Sequence, residues 1–495
     1  MNDQPVTEPQ KFIGNIFWVA ASNLAVPLVG LISMPALTKN YTAYTYAVWM
    51  QSVFIVWLLS FILNLSFGNA IVRFLAGEDD KEVRRRSLGA MLWPVLTFDC
   101  LILIISLLLR QDISIIMFGT PYYASIVPLI MLWAATEAVF SLLIAYWLAR
   151  RKIRRLSIIQ ICLATLKMAA LVILASAASD LACIIGCIAA IESVVTIVVF
   201  GMIIREIGWP TPAMVGLKSY MAFSIPLIPS GILFWAISVS DRYFITYLLS
   251  LSQAGIYSAS FAIGSLISLF FSPIQVALFP VLSRLWEQKE QSKVGSYLEY
   301  SNKLFLTLAI PSAAGLYILS QPLLGILTTP DYMVGAGLVL LVALATILLG
   351  LYQINVYVIL LTQKTKWLTP IIFIAATANI CINIALIPVV GIIGSAIAAI
   401  VAYLILAVTV MVWARIVIKY TISVRFIVKV IIGASLMALC ISFIHIGGML
   451  GIAILAIAGV IIFSLWMWLT RAFSTGDIML LKDIIRGLKK GALLR

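Results

Sequence analysis

The chain has 495 residues, of which 63% are hydrophobic and only 11% charged, with a formal net charge of +14. Soluble domains carry roughly 25% charged residues, so this composition excludes a soluble globule. The surplus of Lys and Arg sits in short junctions between apolar stretches, a pattern that reads as membrane topology and not as nucleic-acid binding.

Apolar stretches long enough to cross a bilayer are predicted over 12–37, 44–72, 88–109, 122–149, 157–177, 181–203, 219–247, 253–281, 304–325, 334–362, 368–388, 391–414, 426–445 and 450–470. Each holds about 20 apolar residues, the length a helix needs to span hydrocarbon. Helices satisfy their own backbone hydrogen bonds in lipid, and the chain lacks the alternation of a transmembrane β-barrel. The expected fold class is therefore an all-α polytopic membrane protein with about 14 transmembrane helices. The first ten residues are polar, and the first apolar run is long and has no small-residue cleavage site, so it is expected to be a retained span.

Taken along the chain, Lys and Arg gather at every second junction. Arg73, Lys81 and the arginines at 84–86 follow the second span, and the basic residues of 150–155 follow the fourth. Arg205 and Lys218 follow the sixth, Arg284, Lys289, Lys293 and Lys303 the eighth, Lys364 and Lys366 the tenth, and Arg415, Lys419, Arg425 and Lys429 the twelfth. The alternate junctions hold only Lys39 and Arg110. The positive-inside bias predicts a multi-pass protein of the plasma or bacterial inner membrane with both termini cytoplasmic. No junction is long enough to hold a soluble domain, which argues against a membrane glycosyltransferase, polymerase or ligase. The chain is not expected to be an enzyme.

In the tail, 471–495, Ile478, Leu481, Ile484, Ile485 and Leu488 share one helical face, with Lys482, Arg486, Lys489 and Lys490 beside it. This predicts an interfacial amphipathic helix lying on anionic membrane lipids. The six cysteines fall within predicted spans and read as small packing residues. The one histidine, His445, lies near a helix end, so a histidine metal site is not expected.

The sequence partly repeats at an offset of 211 residues: Tyr46 matches Tyr257, Arg73 matches Arg284, Tyr146 matches Tyr357 and Arg155 matches Lys366. The shared offset predicts two six-helix lobes, 12–203 and 219–414, an additional helix pair at 426–470, and the cytoplasmic tail. Parallel repeats of this kind suit alternating access.

Charges inside the spans carry most of the functional information. Asp99, Glu137, Lys167 and Glu192 lie mid-span in the third to sixth stretches, and Asp241 and Arg242 lie deep in the seventh. Each costs about 2.5–3.5 kcal/mol at a helix centre, so they must meet one another, a polar cavity or water. Internal pairing is the plain structural explanation, but four acids face two bases. In low dielectric a surplus carboxyl is expected to take up a proton, and a carboxyl that exchanges H+ or binds Na+ is what a coupled transporter requires. Asp99, Glu137 and Glu192 are the ion-coupling candidates. Lys167, Asp241 and Arg242 are the interior substrate-binding candidates, with Arg73 at the cytoplasmic mouth. Arginine forks match phosphate oxygens and lysine supplies a point charge. The polar residues Gln51, Asn64, Gln353, Asn355, Asn379 and Asn383 serve either a sugar or contacts between helices. Pro226 and Pro229 are expected to bend the seventh span. No cofactor is expected beyond a coupling H+ or Na+.

Four segments carry a family resemblance: 15–35, from Asn-Ile-Phe-Trp through Ser-Met-Pro; 65–75, with Gly-Asn-Ala-Ile-Val-Arg-Phe-Leu; the seventh span from Ser224-Ile225-Pro226 to Asp241-Arg242-Tyr243-Phe244; and Gly-Ile-Tyr-Ser-Ala-Ser from Gly255. Through these the chain resembles the Wzx-type polysaccharide flippases of the multidrug/oligosaccharidyl-lipid/polysaccharide exporter superfamily. The resemblance implies two six-helix lobes around a central cavity. It implies movement of a polyprenyl-pyrophosphate-linked oligosaccharide from the cytoplasmic to the outer leaflet, with other glycan-assembly membrane proteins as partners. Of the site residues it carries over only the Asp241–Arg242 pair. The alternative on the same fold is a drug or organic cation antiporter, against which the interior bases Lys167 and Arg242 speak.

Overall fold

The computed structural model describes residues 29–472 apart from 213, 215, 419, 422 and 445–447. The expected first span, His445 and the amphipathic tail therefore lie largely or wholly outside the described residues. Among the described residues, 13 helical segments are long and apolar enough to cross a membrane. They correspond one to one with the second to fourteenth predicted spans.

Residues 29–40 are helical. The helices that follow are α1 (Ala43–Leu63), α2 (Phe67–Leu75), α3 (Lys81–Leu108), α4 (Arg110–Phe118), α5 (Val127–Ala149), α6 (Ile153–Ser176), α7 (Leu181–Ile207), α8 (Leu217–Ser224) and α9 (Ile228–Leu248). After these come α10 (Leu251–Gly264), α11 (Ser268–Glu287), α12 (Gln291–Leu327), α13 (Ala336–Asn355), α14 (Tyr357–Leu361), α15 (Leu368–Val390), α16 (Ile392–Ile418), α17 (Val424–Ser442) and α18 (Gly448–Leu469). Two compact units emerge among the described residues, one of 29–259 with 372–395 and the other of 260–371 with 396–472.

In the first unit α5 is central, packing against α1, α2, α3 and α7. Its small residues Ala134, Ala135, Ala138 and Ala145 are buried and let the neighbouring backbones approach, which is how helices gain van der Waals contact where lipid supplies no hydrophobic drive. In the second unit α12 holds the equivalent place, against α11, α13, α17 and α18. The α17–α18 pair closes on Gly433, where a Cβ would stand 2.3 Å from the Trp466 ring.

Several predicted spans are broken or extended. The second breaks at Asn64–Ser66, where Leu65 and Ser66 take left-handed backbone, φ 52° and 55°. Asn64 compensates by donating from Nδ2 to the carbonyl of Ala138 (3.2 Å) and to Ser141 Oγ (2.5 Å) on α5. The seventh span is bent as its prolines predict, through a 3-10 turn at Ile225–Leu227. The eighth carries a similar turn at Ser265–Ile267, with no proline to announce it. The basic junctions are not simple loops: Lys81 and the arginines at 84–86 form the first turns of α3, and Lys303 lies within α12, paired with Glu299 at 2.7 Å.

Several polar span residues act between helices. Asn302 and Asn355 exchange side-chain amide hydrogen bonds at 3.2 and 2.8 Å, and the Tyr420 hydroxyl donates to Asn355 Oδ1. Gln275 Nε2 donates to Gln353 Oε1 at 3.0 Å.

Candidate functional site

The interior charges of the first unit fall into two clusters and one isolated acid. The first cluster is built where α9 and α10 meet α1. Gly255 permits the approach, because a Cβ there would stand 2.0 Å from the Ala43 carbonyl oxygen. Two residues on, Tyr257 of α10 meets the Asp241–Arg242 pair of α9.

Asp241 Oδ1 accepts from Arg242 Nη1 at 2.5 Å and from the Arg242 backbone N–H at 2.9 Å, and Oδ2 accepts from the Tyr257 hydroxyl at 2.6 Å. Arg242 Nη1 also donates to the Ser238 carbonyl at 2.8 Å. The guanidinium lies over the rings of Phe54 and Tyr257, 5.1 and 5.2 Å from their centroids. Asp241 and Arg242 are 2% and 1% exposed. In low dielectric such a pair persists because its mutual attraction, its extra hydrogen bonds and the ring faces together replace water. In this conformation Arg242 meets a carboxylate and two rings, not solvent.

The second cluster joins α5, α6 and α7. Lys167 Nζ on α6 contacts Glu192 Oε2 on α7 and stands 3.7 Å from Glu137 Oε2 on α5. Trp133 Nε1 donates to the same Glu192 oxygen at 2.7 Å, and its ring lies 5.5 Å from the ammonium. Trp49 stacks on Trp133 at 5.8 Å. Glu192 is fully sealed, whereas the side chains of Glu137 and Lys167 are 32% and 20% exposed. The structure thus unites a residue expected to bind substrate with two expected to bind an ion. If all three groups are ionised the cluster is anionic, and one bound proton or monovalent cation makes it neutral.

Asp99, the third ion-coupling candidate, joins neither cluster. It projects from α3 and is 5% exposed, and neither carboxylate oxygen has a hydrogen-bond partner. It lines a cavity of about 360 Å³ between α3, α5 and α7, whose other polar groups include the hydroxyls of Thr136, Ser193 and Thr196.

Arg73 stands in the last turn of α2 and is exposed. Its guanidinium lies 4.4 Å from the centroid of Phe223 on α8 and 5.6 Å from that of Phe74. Phe74 in turn packs on Tyr220 at 5.2 Å. This places a solvated arginine on an aromatic shelf at the basic end of the first unit.

A further network holds that end together. Arg84 Nη1 donates to the Tyr146 hydroxyl and to Glu206 Oε1, both at 3.3 Å, and Lys152 Nζ donates to Glu206 Oε2 at 2.6 Å. Sequence reasoning assigned these bases to topology and missed the network; the signal was Glu206, an acid beside Arg205 just beyond the sixth span. It also missed Trp133 and the contact of Tyr257 with Asp241. Trp133 and Glu137 are four residues apart and so share a helical face, and Tyr257 appeared only as a repeat match and within the Gly-Ile-Tyr-Ser-Ala-Ser segment.

The model of a family described as polysaccharide biosynthesis protein matches residues 12–286. The chain is 30% identical over 166 residues to the probable flippase AglR of Haloferax volcanii, covering 32% of this chain and 34% of that protein. It is 22% identical over 187 residues to a probable low-salt glycan biosynthesis flippase of the same organism, covering 38% and 40%. The chain thus spans about a third of the length of the curated relatives it matches.

Among solved structures, the lipid II flippase MurJ in an inward closed conformation superposes with TM-score 0.75 at 13% identity, covering 91% of this chain and 98% of that one. An inward-facing multidrug resistance MATE transporter of the MOP superfamily superposes with TM-score 0.63 at 13% identity, covering 81% and 98%. These likenesses show the fold. The all-helical architecture, the span pattern and the match over 12–286 together establish that this multi-pass membrane protein belongs to the polysaccharide biosynthesis protein family.

Proposed function

We propose that the chain flips a polyprenyl-pyrophosphate-linked oligosaccharide from the cytoplasmic to the outer leaflet by alternating access, coupled to H+ or Na+. The observation that carries this reading is the cluster of Glu137, Lys167 and Glu192, one ammonium between two carboxyls, inside the family-matched region. An ion coupled to transport needs a group whose occupancy biases the conformational equilibrium, and a ligand does this only by its differential affinity for the two states. The graded exposure of the cluster supplies an accessible carboxyl, Glu137, beside a sealed one, Glu192. Arg73 on its aromatic shelf would be the first contact of the pyrophosphate, since arginine binds phosphate oxygens in bidentate fashion. The names of the relatives, probable flippases and a lipid II flippase, support this substrate class. In this reading the protein works with other glycan-assembly membrane proteins, and both termini are cytoplasmic.

The test is a deletion strain complemented with the native chain, Arg73→Ala or Glu137→Gln. Deletion is expected to trap the lipid-linked glycan in the cytoplasmic leaflet. The native chain should restore its export, and each well-expressed variant should restore less. Normal export in a deletion strain with no second flippase would refute the function. A gain of susceptibility to organic cations in that strain would redirect it to drug antiport.

A further inference from the structure

The cavity at Asp99 lies apart from both charge clusters. We propose that it is a binding site for an amphipathic ammonium, a protonated primary or secondary amine carrying an aryl-alkyl body. Three features of the cavity point to that class. Its volume of about 360 Å³ exceeds what a dehydrated inorganic ion fills and falls in the range of small-molecule pockets. Its wall is mostly apolar, with Leu96, Leu103, Val139 and Phe200 among the lining residues. Its one ionisable acid, Asp99, is 95% withdrawn from the surface, and neither oxygen has a partner.

A buried carboxyl without a partner can ionise only against its desolvation penalty, and an N–H donor with a positive charge offsets that penalty by a charge-assisted hydrogen bond. The Thr196 hydroxyl, also buried and without a partner, faces the same space and can accept a second ammonium proton. Thr136 Oγ1 and Ser193 Oγ, 3.3 Å apart, tie the α5 and α7 walls together beside it.

The depth of the site excludes a lipid head group. Asp99 lies about 27 Å along α3 from Lys81 and about 13 Å from Leu108, at a rise of 1.5 Å per residue, which is acyl-chain depth. A plain acyl chain would fill the volume and leave the carboxylate unpaired. Ile197 and Leu132, at 68% and 39% exposed, form an apolar lip suited to entry from hydrocarbon. Occupancy would wedge α3 against α5 and α7, the two helices that carry Glu137 and Glu192.

Cys100 lines the cavity beside Asp99 and serves as a native reporter. The experiment uses the purified full-length chain in nanodiscs, with 6-phenylhexylamine and its neutral counterpart 6-phenylhexanol as probes. Direct binding is measured, together with the alkylation rate at each cysteine by peptide mass spectrometry. The amine is expected to bind at least tenfold more tightly than the alcohol. It should slow alkylation of Cys100 severalfold while leaving Cys162 unaffected. Asp99→Asn should bring amine and alcohol to the same affinity. Val139→Phe, which fills the cavity and keeps Asp99, should abolish both binding and protection, so the conclusion does not hang on one variant folding. Equal affinity for amine and alcohol in the native chain would overturn the proposal in favour of a lipid-chain pocket. Equal protection of Cys100 and Cys162 would overturn it as bilayer partitioning. Neither readout depends on glycan export.

Discussion

Replacing Arg242 by Met tests whether the Asp241–Arg242 pair is a closed structural unit in the observed conformation. The single change would strand Asp241, at 2% exposure, with the Arg242 backbone N–H and the Tyr257 hydroxyl as its remaining donors. Removing one partner of a buried ion pair typically costs about 3–5 kcal/mol, chiefly because the other charge is left uncompensated. Loss of the guanidinium stacked on Phe54 and Tyr257 adds about 0.5–2 kcal/mol.

The double replacement Asp241→Leu with Arg242→Met removes both charges together and is expected to recover most of the loss, leaving a net effect within about 2 kcal/mol of the native chain. Reversible unfolding of the full chain in mixed micelles, for the native protein, both singles and the double, gives the coupling energy directly. A coupling of about 3 kcal/mol or more supports a dry, paired site. Additive singles and double, with coupling under about 0.5 kcal/mol, would refute the reasoning, because the two charges would then be solvated independently. Glycan export by the stable double variant separates the pair's architectural role from its part in transport. Loss of export with native stability assigns the charges to the substrate path, and full export confines them to folding.

At the lysine cluster, Lys167→Met is expected to destabilise the chain by about 3 kcal/mol, and Glu192→Gln on that background to restore at least half, read by the same unfolding assay. Gly89→Val would drive a side chain into the Thr211 carbonyl, which stands 2.0 Å from a Cβ at position 89. The segment at Thr211, between α7 and α8, should lift off α3, stability should fall by about 1–3 kcal/mol, and trypsin should cut at Lys218 faster than in the native chain. At the basic end, Arg84→Ala should destabilise more than Arg86→Ala. The first removes a buried donor to Glu206 and Tyr146, and the second an exposed pair with Glu82 that is worth no more than about 1 kcal/mol.

The sequence was informative about the candidate site in proportion to how rare each signal is in lipid. A mid-span charge is expensive wherever it lies, so Asp99, Glu137, Lys167, Glu192, Asp241 and Arg242 stand out in sequence. Their partners do not. Trp133 is one aromatic among many in the chain, and only the stacking of α5 on α7 turns its indole N–H toward Glu192. Tyr257 on α10 reaches Asp241 on α9, 16 residues away in the chain and beyond any helical repeat. Asp99 was grouped with Glu137 and Glu192 because all three are acids at similar depth, and the fold sets it on another face, alone.

By itself the sequence determined the all-helical class, the positions of the spans, the bend at Pro226 and the set of charges that must be hidden. Each follows from one-dimensional physics: hydrocarbon admits only runs of about 20 apolar residues with internally satisfied backbones, and proline removes a donor wherever it stands. The tertiary structure alone decided which charges of different helices pair, which interior acid is left without a partner, and where a helix breaks without proline, as at Ser265–Ile267 and at the left-handed residues Leu65 and Ser66. Those outcomes depend on side chains brought together from distant helices. The energy of a buried charge or a broken helix is set by the neighbour that packing supplies, and the spacing of residues along the chain does not encode that neighbour.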